Sequence, residues 1–131
     1  MTIFELKNHQ VWRELTEIIE NLDANLLVKE HLEQCDYKVS GYWDEQDKYY
    51  ETVTLPYEID AELISSSIGV SHRERFLKLK FLLTASSFEP KTASDENIQK
   101  IGELELVYDE SLKFIDERWL LNIDLPMIQI N

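Results

Sequence analysis

The chain has 131 residues, 26 acidic and 13 basic side chains, and a formal net charge of −13. With 44% hydrophobic and 11% aromatic residues it can bury a core, and three glycines and three prolines exclude a fibrous or linker-like chain. The acidic balance also excludes the broad cationic surface that direct nucleic-acid or anionic-membrane binding needs.

Residues 8–34 carry a helical period. Val11, Leu15, Ile18 and Leu22 recur at spacings of four and three, Trp12 and Ile19 widen the stripe, and Arg13, Glu14, Glu17 and Glu20 fall mostly opposite. Asn8 suits an N-cap. The phase slips through residues 21–25, and a second apolar set follows at Leu27, Val28, His31, Leu32 and Cys35. Two short helices, or one kinked helix, are predicted, with Asp23 capping the second.

From Asp36 the period becomes two. Tyr37, Val39, Gly41 and Trp43 alternate with Lys38, Ser40 and Tyr42; Tyr49, Glu51, Val53 and Leu55 alternate with Tyr50, Thr52 and Thr54. Residues 44–47 read as the turn of a hairpin that Pro56 ends. Over residues 59–68 the pattern is ambiguous, and a short helix capped by Asp60 and ended by Gly69 is expected. The clearest strand follows: Leu77, Leu79, Phe81, Leu83 and Ala85 share one face, with Phe76, Lys78, Lys80, Leu82 and Thr84 on the other. Residues 86–100 read as a loop. Leu104, Leu106 and Tyr108 form the next strand, residues 109–111 a turn, and Ile115, Trp119, Leu121 and Ile123 a returning strand that Pro126 closes.

Helices segregated from consecutive antiparallel strands indicate an α+β fold in a single domain over residues 1–131. N-terminal helices packed on a curved antiparallel sheet, as in cystatin-like or NTF2-like folds, suit the length by analogy. The N-terminus has no signal-peptide pattern, no apolar run approaches the ~18 residues of a membrane span, and Cys35 is the one cysteine. A cytoplasmic protein without membrane contact is expected.

Chemical motifs are sparse. His31 and Cys35, four apart, offer at most two metal ligands on one helix face, and His9 and His72 lie in unrelated segments. Core packing is the simpler account of both. Residues 44–47 lack the glycine and distal glutamate of a calcium loop. Ser65-Ser66-Ser67 and Ser71-His72 fit no nucleophile motif, and there is no phosphate-cradling glycine loop. Neither an enzyme nor a cofactor requirement is predicted. The one basic stretch, Arg73 to Lys80, has net charge +3 and alternates with core leucines, so its lysines are expected to face outward beside acidic neighbours.

The most informative segment is residues 36–58, where five of the six tyrosines lie with Trp43 among acidic residues. Adjacent Tyr49 and Tyr50 cannot both be buried on one strand. Exposed rings beside carboxylates suit recognition of a basic protein. The candidate binding residues are therefore Trp43, Asp44, Glu45, Asp47, Tyr49, Tyr50 and Glu51, with Asp109, Glu110, Asp116 and Glu117 as weaker candidates. Alanine at Asp44, Asp47 and Glu51 is expected to weaken binding with little effect on stability.

A small acidic α+β domain of this kind, lacking a catalytic motif, resembles the bacterial immunity proteins of contact-dependent inhibition and related toxin systems. The resemblance implies a cognate basic toxin as partner, commonly a nuclease, neutralised by covering its active site. Two alternatives are an NTF2-like small-molecule-binding or enzymatic domain, and an acidic mimic of DNA that inhibits a DNA-binding protein.

Overall fold

The computed structural model describes residues 10–86 and 98–130. The predicted cap Asn8 and most of the loop read over 86–100 lie outside these. Two helices come first, α1 (Gln10–Glu20) and α2 (Ala24–Gln34). Between them the Asn21 side chain donates to the Glu17 carbonyl at 2.8 Å, closing α1. Asp23 restarts the helix from an extended conformation, its Oδ1 accepting the Leu26 N–H at 3.0 Å. Leu15, Ile18 and Leu22 turn toward the core and Val28 and Leu32 are buried in it, while Arg13, Glu14, Glu17 and Glu20 stay exposed.

Seven strands follow: β1 (Lys38–Trp43), β2 (Tyr49–Thr54), β3 (Asp60–Ser71), β4 (Glu74–Ser86), β5 (Ile98–Asp109), β6 (Phe114–Leu121) and β7 (Gln129–Ile130). They form two antiparallel sheets, one ordered β1-β2-β7 and one ordered β3-β4-β5-β6. The fold is α+β, with its helices preceding the sheets.

Three local expectations change. The segment expected as a short helix from Asp60 is the twelve-residue strand β3, paired with β4 along its whole length. Serines weaken a helix and β-branched residues favour extended backbone here, and pairing to the strongly apolar β4 decides the outcome. Gly69 ends no helix; it pairs with Phe76, whose ring lies where a Cβ would be. Residues Ile98–Lys100, read as loop, begin β5 opposite Thr84–Ser86. Pro126 does not close the sheet, because the chain continues through buried Ile128 into β7 and adds a third strand to the β1–β2 hairpin.

One face of β4 supplies the centre of the core. Leu79, Phe81, Leu83 and Ala85 are buried with Leu104 and Leu106 of β5, against Val28 and Leu32 of α2 and Val53 and Leu55 at the end of the hairpin. The opposite face of the four-stranded sheet carries charge in register: Lys80 pairs with Glu105, and Glu105 with Arg118. Lys80 thus faces outward beside acid, as its alternation implied, while Lys78 on the same face lies opposite Val107. Among the described residues no helix is long and apolar enough to cross a membrane.

Candidate functional site

The aromatic-acidic hairpin is organised by one carboxylate. Asp44 Oδ1 accepts the N–H groups of Gln46 at 2.8 Å and Lys48 at 2.9 Å, and Oδ2 accepts the Tyr50 hydroxyl at 3.1 Å. Backbone bonds from Asp44 N–H to Lys48 O and from Asp47 N–H to Asp44 O close the turn, with Asp47 in the left-handed region at φ 62°. The Asp44 carboxyl is held below its ordinary range, chiefly by the Lys48 N–H and then by the Gln46 N–H and the Tyr50 hydroxyl, which outweigh partial desolvation. Burial, and then the bond to Asp44, push the Tyr50 phenol up. Asp44 therefore holds the hairpin's shape, so a triple alanine variant that includes it is expected to lose stability as well as binding.

Gly41 sets which rings face outward. At φ 69° it lies in the left-handed region, and the buried positions shift from Val39 and Val53 on one side of it to the pair Tyr42 and Tyr50 on the other. Tyr50 is only 7% exposed, so it belongs to the core and is no surface anchor. Trp43 and Tyr49, paired across the strands, are 60% and 50% exposed, with ring centroids 4.9 Å apart. Tyr49 reaches over Gly41, where its hydroxyl would sit 3.6 Å from a Cβ. Glu45 and Asp47 of the turn and Glu51, two residues beyond Tyr49 on the same strand, are all exposed. Behind the turn lies an open groove of about 560 Å³ whose lining includes Asp44, Glu45, Lys48, Tyr50, Lys100 and Asp124. Lys100 and Asp124 join the hairpin through tertiary structure alone, and no local pattern pointed to them.

The C-terminal candidates are differently placed. Asp109 repeats the role of Asp44: its Oδ1 accepts Ser111 N–H at 2.8 Å and Lys113 N–H at 3.0 Å, with Leu112 in the left-handed region. Glu110 lies 3.5 Å from the Arg75 guanidinium. Glu117 is hydrogen-bonded to His31 Nε2, which also meets Phe114 edge-on at 5.1 Å. Asp116 is exposed opposite Val107, on the outer sheet face. Asp109, Glu110 and Asp116 line one groove together with Arg75, Lys78 and Arg118, while Glu117 turns to His31, so the four form no purely acidic patch, and each already accepts a bond or pairs with a cation within the chain.

The thiol of Cys35 donates to the Leu32 carbonyl at 3.4 Å, and burial pushes its pKa up. Among the described residues, no three His, Cys, Asp or Glu side chains gather where they would hold a metal ion. No family model, curated protein or solved structure matches the chain.

Proposed function

We propose that this chain is an acidic inhibitor of the immunity type, which binds a basic protein partner through the outward face of the β1–β2 hairpin. The observation that carries the reading is the exposed Trp43–Tyr49 pair on a hairpin whose Glu45, Asp47 and Glu51 are exposed as well. An isolated surface ion pair is worth only about 0–1 kcal/mol, because water screens it and long side chains lose freedom. Rings that exclude water from the same carboxylates raise the strength of each contact, as at the centres of protein interfaces. The net charge of −13 adds long-range attraction that speeds encounter with a cationic surface. A nuclease cleft is such a surface, since it binds phosphates, and an acidic hairpin is a suitable plug for it. Occupation of that cleft would inhibit without any chemistry by this chain.

The test compares two baits in native extract: the wild-type chain and the folded double variant Trp43→Ala/Tyr49→Ala. A basic protein retained by the first and lost by the second supports the reading. Retention of the same partner by both baits would remove the hairpin from the interface.

A further inference from the structure

We propose that β3 is the seat of a homodimer, in which two copies of the chain pair their β3 strands antiparallel and join their four-stranded sheets into one. Among the described strands it lies at the edge of its sheet, and its backbone geometry is suited to extension. The two-residue turn His72-Arg73 makes Ser71 and Glu74 the closing pair, so their hydrogen-bonding groups face each other. Alternation then aims the N–H and C=O groups of Ser66, Ile68 and Val70 away from β4. No described residue bonds them. At the other end of the strand, beyond the bulge between Leu63 and Ser65, the outward Ala61 N–H is already capped by Asn25 Oδ1 at 2.7 Å. The open edge is thus confined to the second half of β3.

An uncharged edge permits a second copy as the occupant, and a self-complementary register favours it. Each chain carries −13, so most contacts between two copies are opposed by like charges. From Leu63 to Ser71 the sequence Leu-Ile-Ser-Ser-Ser-Ile-Gly-Val-Ser holds no charged residue and no proline. Natural edge strands are guarded by lysine, proline, bulges or short length. The other long edge, β6, has Asp116, Glu117 and Arg118 at its middle, and β1 is six residues long and kinked at Gly41. Beyond its bulge, β3 has none of these guards, while Ile68 and Val70 are 37% and 68% exposed.

A two-fold axis at Ile68 sets each Ile68 opposite its copy and Ser66 opposite Val70 of the second copy. All three outward residues then give and accept backbone bonds. The same register brings Arg73 of the turn to the level of Glu62 of the second copy, an attractive contact at either end. Because the two-fold contact uses the same strand from both copies, it closes on itself, and the charged β6 strands are left at the rims.

Sedimentation of the full chain over a range of concentrations tests this. The wild type is expected to form a dimer whose association strengthens with added salt, because screening relieves repulsion between two acidic chains. Salt acts in the opposite sense on the basic partner proposed above, so the two contacts are separable. Val70→Lys places a charge on the edge, and Ser66→Pro removes an N–H that no described residue accepts. Each should weaken dimerisation about tenfold or more, with the circular dichroism spectrum unchanged for Val70→Lys, whereas Val70→Thr keeps the dimer. A wild type that stays monomeric at every concentration and salt level overturns the proposal, as does a dimer indifferent to Val70→Lys.

Discussion

Tyr42 Oη accepts the backbone N–H of Leu121 at 2.9 Å, and this buried bond ties the three-stranded sheet to the last strand of the four-stranded one. Tyr42 is 5% exposed, so no bulk water is at hand to replace the phenol. Tyr42→Phe keeps the ring packing and leaves a buried N–H unpaired, at a cost of about 1–3 kcal/mol. Urea unfolding should show a lower midpoint with an unchanged slope. An unchanged midpoint would mean that the phenol contributes nothing to joining the sheets.

The turn centred on Asp44 makes a prediction about acid. Because the Asp44 pKa is depressed in the folded protein, its stabilising contribution is complete above the unfolded carboxylate range and is lost as pH falls through the lower, folded value. Asp44→Asn should therefore flatten the acid side of the melting temperature against pH, as well as lowering stability at neutral pH. At the second turn, Asp109→Ala strips the acceptor from Ser111 and Lys113 and should cost about 1–2 kcal/mol by denaturant titration. If both variants melt as the wild type does at pH 7, the carboxylates are not what shapes the turns.

Two glycines separate backbone constraint from side-chain crowding. A Cβ on Gly102 would lie 2.1 Å from the Leu120 carbonyl oxygen, and its φ of 155° is one that side chains rarely adopt. Neither strain can relax without moving β6, so Gly102→Ala should cost at least about 2 kcal/mol. At Gly69 the obstruction is the Phe76 ring, 2.2 Å from the built Cβ, and that ring can swing toward solvent. Gly69→Ala should cost under about 1 kcal/mol, with Phe76 more exposed. Paired thermal melts check the order, and equal losses would contradict it.

These positions also mark how far the sequence was legible. Period-two alternation was strong at Leu77 to Ala85, where burial follows every second residue, and the helix break at Asp23 was written in capping chemistry. At residues 60–71 four serines and a glycine blur both periods, and only pairing with β4 decides for a strand. In the hairpin, alternation failed at Gly41, because a left-handed residue shifts the buried positions and draws Tyr50 inward. A signal missed along the chain was the echo between Trp43-Asp44-Glu45…Lys48-Tyr49 and Tyr108-Asp109-Glu110…Lys113-Phe114. The two segments fold into the same hydrogen-bonded turn, so their aspartates serve the backbone before any partner. The links from Glu110 to Arg75 and from Glu117 to His31 span strands and a helix, beyond the reach of local pattern.

The last prediction concerns the binding face and follows from that sorting of carboxylates. Asp44 is committed to the turn, so an interface variant should spare it and change Trp43, Tyr49, Asp47 and Glu51. Trp43→Ala/Tyr49→Ala should weaken association with the basic partner by about 2 kcal/mol or more, the size of effect found at interface centres. Asp47→Ala/Glu51→Ala should act mainly on the association rate. It should also flatten that rate's fall with ionic strength, as the Debye length shortens from about 10 Å at 0.1 M to about 3 Å at 1 M salt. Glu110→Ala and Glu117→Ala remove carboxylates already bonded to Arg75 and His31, and should alter association far less. Stopped-flow rates across a salt series, with melting temperatures measured alongside, separate these effects. A larger loss from Glu110→Ala than from Trp43→Ala/Tyr49→Ala would move the interface to the β5–β6 turn.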